Sequence, residues 1–243
     1  MSSCKKILLV NAVEWAPIYP LDHPLRNVPR WYQRHFDSDP NVEWLVRGYG
    51  ELPVAEAISA ADGVIMTGSP RDAWTDDPIN ELMCDVVRSC LDSLKPFLGV
   101  CYGHQILGRT LGANVGRHPA GLQLGPVLMN LSDEGKQDAL FDGTGDSFEA
   151  LSGHADYVAE IPKETVLLAS GGVTTVQGIR WGERIYGVQF HPEMNADILQ
   201  FLWQARITDW KGKASFDLAQ QVAAIHDTPV GVKVLKNFVE KIV

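Results

Sequence analysis

Short apolar runs bounded by turn-forming residues recur through the first hundred positions of the chain. Continuous apolar runs of this length are typical of buried strands in a mostly parallel sheet. Two stretches between the runs favour helices, at residues 24–36 and 77–94, and the second has apolar residues three and four positions apart. Alternating strands and helices predict right-handed βαβ connections and an α/β fold with an open, mostly parallel central sheet. The four predicted strands are residues 6–10, 42–46, 63–66 and 97–100.

The middle of the chain, residues 113–185, follows a different pattern. It contains many short β-like runs and little helical periodicity, which predicts a smaller antiparallel β layer beside the main sheet. Residues 185–190 predict another buried strand, and residues 195–208 predict a helix. The tail from residue 211 predicts one or two amphipathic helices. The short β-like runs are residues 123–131, 147–151, 165–169 and 174–179.

This order of elements predicts one domain at residues 1–210, with a helical extension at residues 211–243 packed on the same domain. The 243 residues are 45% hydrophobic and 21% charged, which is typical of soluble globular chains. A net charge of −9 argues against binding to nucleic acid or to anionic lipid, since both need a basic surface. No stretch approaches the roughly 20 apolar residues of a membrane helix.

The chain has four cysteines and no Cys-x-x-Cys pair, so the spacing indicates neither a zinc cluster nor a redox motif. We interpret the thiols as reduced and expect a cytoplasmic protein. The amino terminus has a basic start and a short apolar run, but Glu14 follows at once. A signal peptide ends instead at a small-residue cleavage site, so a buried first strand explains the run better.

The segment around Cys101 carries the clearest chemical signal. A predicted strand enters a Gly99-Val-Cys101-Tyr102-Gly103 turn, and a predicted helix follows. Glycines on both sides of a nucleophile allow a tight strand-to-helix turn that exposes the central side chain. The helix N-terminus favours the thiolate, and the backbone N–H of Tyr102 would face an oxyanion forming on the substrate. A buried cysteine beside packing glycines is the alternative interpretation.

Two further turns follow predicted strands. His191-Pro192-Glu193 places a histidine and a carboxylate at a spacing that suits a general base and its orienting group. Gly68-Ser69 offers backbone N–H groups for the other half of an oxyanion hole. Strand ends at one edge of an α/β sheet converge on a common crevice, so Cys101 and His191 are expected to meet there. Taken alone, each turn is equally consistent with an ordinary loop.

Taken together, the three segments resemble the class I glutamine amidotransferase family over residues 5–205. The resemblance implies a flavodoxin-like three-layer α/β sandwich and a triad of nucleophile Cys101, base and acid His191, and orienting Glu193. It implies that Gln105 contacts the substrate glutamine. A weaker match places substrate-binding backbone at His154, Ala155 and Asp156, with Gly153 in place of the family's serine. Ser69 stands where many members have a second glycine.

The resemblance implies cleavage of the glutamine side-chain amide through a γ-glutamyl thioester, with no metal and no organic cofactor. The amidotransferase segment looks most like the glutaminase domain of GMP synthetases. An ammonia-accepting synthetase would then be a separate subunit, because the chain contains no phosphate-cradling glycine loop. Two alternatives stay open: a free-standing γ-glutamyl peptidase, and a catalytically silent regulatory or binding relative.

Overall fold

The computed structural model describes residues 4–51 and 54–243, so Met1, Ser2 and Ser3 of the predicted domain lie outside the described residues. Nine of its strands form one sheet in the order β2-β1-β3-β4-β11-β10-β9-β6-β7, and β5 pairs with β8 in a separate two-stranded sheet. The strands are β1 Lys5–Asn11, β2 Val42–Gly48, β3 Gly63–Met66, β4 Phe97–Val100, β5 Val115–Arg117, β6 Gln123–Leu131, β7 Ser147–His154, β8 Asp156–Val158, β9 Thr165–Gly171, β10 Thr174–Trp181 and β11 Ile185–Val188.

Eight α-helices surround the sheet in the described part of the chain. They are α1 Val28–Gln33, α2 Val54–Ala60, α3 Pro78–Ser93, α4 Tyr102–Thr110, α5 Asp133–Gln137, α6 Ala196–Gln204, α7 Leu218–Ala223 and α8 Val232–Asn237. Short 3-10 turns occur at Pro24–Arg26, Arg34–Phe36, Tyr49–Glu51 and Ala139–Phe141, and a π-helical turn at Phe238–Ile242 follows α8.

The sheet has a parallel half and an antiparallel half. Strands β2, β1, β3, β4 and β11 are parallel neighbours, whereas β11-β10, β10-β9, β9-β6 and β6-β7 are antiparallel pairs. The predicted α/β class, open sheet and small antiparallel sheet are confirmed. The structure adds that four antiparallel strands continue the main sheet, because β10 pairs with the free edge of β11. Hydrophobic periodicity identifies strands but does not specify which edge each one joins.

The sheet separates two apolar layers, as alternation along a strand requires. In β1, Ile7 and Leu9 face a cluster that contains buried residues of α1, α6, α7 and α8, while Leu8 and Val10 face a second cluster with α2, α3 and α4. Helices therefore cover both faces, and the carboxyl ends of the parallel strands open at one edge. The tail packs into the first cluster through Leu218, Leu235 and Phe238.

Two predicted helices end differently from their sequence pattern. The stretch 24–36 divides into a 3-10 turn, α1 and a second 3-10 turn, because the side chain of Asn27 accepts a hydrogen bond from the N–H of Arg30 and starts a new helix there. Helix α6 starts after its N-cap Asn195, as predicted, but stops at Gln204 rather than at residue 208. Helix α3 matches its prediction to within one residue at each end.

Candidate active site

Cys101 occupies the turn between β4 and α4 in a backbone conformation that favours glycine, with φ 52° and ψ −98°. Its N–H donates to the carbonyl of Val188 at 2.8 Å, which ties the turn to β11. A Cβ atom on Gly99 would lie 2.4 Å from the carbonyl oxygen of Gly103, so the turn closes only with glycine at position 99. Backbone strain of this kind costs about 1–3 kcal/mol and is concentrated at functional sites.

His191 and Glu193 lie in the turn after β11 and are both buried. The Nδ1 atom of His191 is 2.8 Å from Oε1 of Glu193, and the N–H of His191 donates to the carbonyl of Leu151 at 2.8 Å. The turn is also held from α1's side, since Arg34 Nη2 donates to the carbonyl of Glu193 at 3.0 Å. The ring orientation that a general base needs is therefore fixed from two directions.

The structure brings Cys101 and His191 together across Gly68. A Cβ atom built on Gly68 would be 3.6 Å from Cβ of Cys101 and 3.0 Å from Cε1 of His191. Burial lowers the pKa of His191, but the charges of Glu193 and Cys101, and hydrogen bonds to both side chains, outweigh burial and raise it to about 10. The geometry favours an imidazolium beside a thiolate at neutral pH.

Tyr32 of α1 is a functional candidate that the sequence pattern does not identify. It is completely buried, and its pKa is raised well above the ordinary value by burial and by the charges of Glu193 and Cys101. Neither its hydroxyl nor Oε2 of Glu193 has a hydrogen-bond partner of good geometry among the described residues. Its position in an apolar helix pattern is typical of a core residue, so nothing in the sequence separates it from one.

The groups predicted for the oxyanion hole lie around the thiol. Gly68 and Ser69 line the cleft beside Cys101, and the hydroxyl of Thr67 accepts from the N–H of Ala12 and donates to the carbonyl of Gly68, which fixes this strand end. Helix α4 begins at Tyr102, so its N–H is among those without an intrahelical acceptor.

The residues predicted to hold substrate form a buried cluster next to the cleft. Gln105 Nε2 donates to the carbonyl of Asp156 at 2.9 Å, and the Nδ1 of His154 lies 2.9 Å from the same oxygen. The Asp156 carboxylate contacts Arg117 Nε and Trp74 Nε1, each at 3.1 Å. Burial raises the pKa of Asp156 to about 6, and Arg117 partly offsets this.

These predicted substrate residues differ from the cleft lining in one respect. Gln105, His154, Ala155 and Asp156 do not line the cleft beside Cys101, whereas their neighbour Gly153 does. Their role in substrate binding stays a prediction.

The cleft encloses about 640 Å³ of empty space, including its open mouth, which lies in the range of small-molecule sites. One wall holds Cys101, His191 and Glu193. The opposite wall is aromatic and comes from the loop after β1, from α1 and from α6; its rings are Trp15, Tyr19, Trp31, Tyr32 and Trp203. Scattered aromatic residues in a loop follow no helical or strand period, so the sequence pattern did not predict this wall.

Within the described residues, no group of three or more histidine, cysteine, aspartate or glutamate side chains is arranged to hold a metal ion. Across residues 4–51 and 54–243, no helix combines the length and the apolar character needed to cross a bilayer. The cysteines of this part of the chain are free thiols, of which Cys4 is exposed and Cys84, Cys90 and Cys101 are buried.

Comparison with known families decides the relationship. The model of the family described as glutamine amidotransferase class-I matches residues 41–198, a segment that contains Cys101, His191 and Glu193. The chain belongs to the class I glutamine amidotransferase family. The predicted resemblance is confirmed, and so is the prediction of a glutamine amidotransferase-type enzyme at the level of the family.

Two curated relatives illustrate the range of this amidotransferase family. The chain is 33% identical over 152 residues to gamma-glutamyl peptidase 5 of Arabidopsis thaliana, which covers 62% of this chain and 61% of the peptidase. It is 33% identical over 141 residues to a glutamine-hydrolysing GMP synthase of Aeropyrum pernix, covering 58% of this chain and 26% of the synthase. The match thus spans less than two thirds of either relative.

A solved glutamine amidotransferase from Thermotoga maritima has the same fold. It superposes with a TM-score of 0.74 at 19% identity, over 98% of this chain and 97% of the other. At this identity the likeness concerns the fold, and it includes the residues after 210.

Proposed function

We propose that this amidotransferase hydrolyses the side-chain amide of glutamine, or the equivalent amide of a γ-glutamyl compound, with Cys101 as nucleophile. One observation carries the proposal: a cysteine on a strained strand-to-helix turn lies against His191, whose Nδ1 is 2.8 Å from the Glu193 carboxylate. A nucleophile, a base and an orienting acid in this order suit acyl transfer. An isolated buried cysteine would need neither the strain nor the paired histidine.

The proposed reaction has two halves. The Cys101 thiolate attacks the γ-carbonyl carbon, and the N–H groups of Tyr102 and of Gly68 or Ser69 stabilise the oxyanion. His191 gives its proton to the leaving nitrogen, the C–N bond breaks, and a γ-glutamyl thioester remains. His191 then takes a proton from water, which attacks the thioester and releases glutamate with the thiolate restored. Gln105 and the backbone of residues 154–156 are proposed to hold the α-amino and α-carboxylate groups.

The fate of the nitrogen separates two candidate functions. Glutamine would release ammonia, and the GMP synthase relative supports a separate ammonia-accepting synthetase subunit as partner. A γ-glutamyl peptide would release an amine, and the cleft supports this candidate because its empty space extends well past His191. We further propose residues 1–210 as the catalytic domain, residues 211–243 as its extension, and a cytoplasmic location, which the free thiols support.

The test compares substrates and a nucleophile variant. The protein is incubated with L-glutamine and with γ-glutamyl dipeptides, and free ammonia and glutamate are measured. We expect glutamate release from at least one substrate class, and its loss in Cys101→Ala by at least about 10³-fold. Retained activity in Cys101→Ala contradicts the nucleophile. Inertness towards every substrate, with Cys101 also unlabelled by a glutamine-like electrophile, would support the catalytically silent alternative.

A further inference from the structure

The leaving group of the proposed reaction must lie beside His191, because that ring supplies the proton to the departing nitrogen. The cleft continues from His191 and Glu193 towards the aromatic wall, whereas the residues predicted to hold the glutamyl end, Gln105 and residues 154–156, lie outside its lining. The space along the aromatic wall is therefore on the leaving-group side. Ammonia from glutamine would fill almost none of it.

The aromatic wall presents ring faces rather than polar groups. The Trp31 indole N–H donates to the carbonyl of Leu25 at 3.0 Å, and the Tyr19 hydroxyl donates to the carbonyl of Leu202 at 2.9 Å. Both polar handles are thus already satisfied by backbone. Trp15 is only partly buried and packs edge-on against both rings, with centroids 5.0 Å from Tyr19 and 6.1 Å from Trp31. Such a surface accommodates a flat apolar group in stacked or edge-on contact.

A single uncompensated cation borders this wall. Arg206 lines the cleft and is positioned by Tyr19, whose hydroxyl lies 2.7 Å from its Nε. Its guanidinium also lies over the Trp203 ring, 5.7 Å from the centroid. Among the described residues no carboxylate lies within 4.0 Å of Arg206, whereas the other charged lining residue, Glu14, pairs with Arg71 at 2.5 Å. Guanidinium groups bind carboxylates with paired hydrogen bonds.

We infer that the aromatic wall and Arg206 form a leaving-group subsite for an amine that carries an aromatic ring and a carboxylate. The substrate class is then γ-glutamyl-linked aromatic amino acids, or γ-glutamyl peptides with an aromatic second residue. The inference rests on the proposed function: the amide C–N bond breaks, the bond from Cys101 sulfur to carbon forms, and the aromatic amine leaves with the proton of His191. Water then releases glutamate.

The first experiment measures kcat/KM for γ-glutamyl-phenylalanine, γ-glutamyl-alanine and γ-glutamyl-phenethylamide, with L-glutamine alongside. We expect the phenylalanine compound to exceed the alanine compound by about tenfold or more, since a buried ring adds apolar contact area. The phenethylamide retains the ring but lacks the carboxylate, so we expect it to be intermediate. Equal values for the phenylalanine and alanine compounds overturn the subsite while leaving the proposed hydrolysis intact.

Two variants with matched controls assign the effect to the wall. Trp15→Leu should reduce the phenylalanine-to-alanine ratio towards one, whereas Trp181→Leu, a partly buried tryptophan in the opposite apolar layer, should preserve it. Arg206→Gln should remove the advantage of the phenylalanine compound over the phenethylamide, whereas Arg184→Gln, at an exposed position, should not. An unchanged ratio in Trp15→Leu, or an unchanged advantage in Arg206→Gln, contradicts that part of the subsite.

Binding separates failure of the subsite from failure of the chemistry. In the Cys101→Ala protein, calorimetry compares the Kd of γ-glutamyl-phenylalanine with that of γ-glutamyl-alanine. We expect tighter binding of the aromatic compound by about tenfold. Aromatic preference in binding without turnover by the unmodified protein would refute the proposed hydrolysis and support the subsite. Absence of the preference overturns the subsite whether or not the protein is active.

Discussion

Gly99 and Gly103 lie in direct contact across the turn that carries Cys101. A Cβ atom on Gly99 would be 2.4 Å from the carbonyl oxygen of Gly103 and 2.8 Å from the backbone nitrogen of His104. The obstacle is backbone, which cannot move aside without opening the turn. The glycine pattern around the cysteine is therefore a requirement of close packing, and its consequences can be measured.

Gly99→Ala should destabilise the protein by about 1–3 kcal/mol, because the added methyl group overpacks a buried turn. It should also reduce any hydrolytic activity, since the turn that positions Cys101 must shift. Urea unfolding gives the free energy. Gly116→Ala is the matched control, because a Cβ atom there would meet nothing within 4 Å. Equal stabilities of the two variants would contradict the packing argument.

Cys101→Gly should be more stable than Cys101→Ala by about 1 kcal/mol, because glycine tolerates positive φ at little steric cost. Both variants lack the thiol, so the comparison isolates the strain. Leu94 provides a reference with φ 51° at the exposed C-terminal end of α3. Leu94→Gly should exceed Leu94→Ala in stability in the same sense. No difference at position 101, with the expected one at 94, would show that the nucleophile turn is unstrained.

Glu193→Gln should lower the pKa of His191 from about 10, because the carboxylate charge is the largest contribution that raises it. Activity should fall by about 10²–10⁴-fold, as expected when an orienting carboxylate loses its charge. NMR titration of the imidazole measures the first effect. Glu149→Gln is the control, since this exposed carboxylate pairs with His226 instead. An unaltered His191 titration in Glu193→Gln would refute the assignment of Glu193 as its partner.

Acid should destabilise the protein through two buried histidines that the proposed mechanism does not protonate. Burial lowers the pKa of His104 to about 4 and that of His154 to about 3. Since the unfolded chain binds protons at its ordinary value near 6.5, stability falls as the pH drops below 6.5, by up to about 1.4 kcal/mol per pH unit for each histidine. The loss should continue until about pH 4 for His104 and about pH 3 for His154.

Unfolding free energies between pH 7 and pH 4.5 test this pH dependence. His104→Phe and His154→Phe should each make the dependence shallower, whereas His226→Phe, at an exposed site, should not. An identical slope in the unmodified protein and in His104→Phe would contradict the burial argument for that residue.

Several features followed from the sequence because each depends on neighbouring residues. The alternation of strands and helices, the glycines around Cys101 and the His191-Pro192-Glu193 turn are local patterns, and they predicted the α/β class, the strand-to-helix turn and the family. The bounds of β3, β4 and β6 equal the predicted ones, because turn residues close these strands at both ends.

Other features depend on which distant segments pack together. The pairing of β10 with β11 joins the antiparallel strands to the main sheet, and β-strand patterns do not encode their partners. Tyr32 meets Glu193, and Trp15 meets Tyr19 and Trp31, only because the loop after β1, α1 and the turn after β11 converge at one sheet edge. Local periodicity carries the first kind of information. The chemistry of the leaving-group side comes from long-range packing, which only the tertiary structure decided.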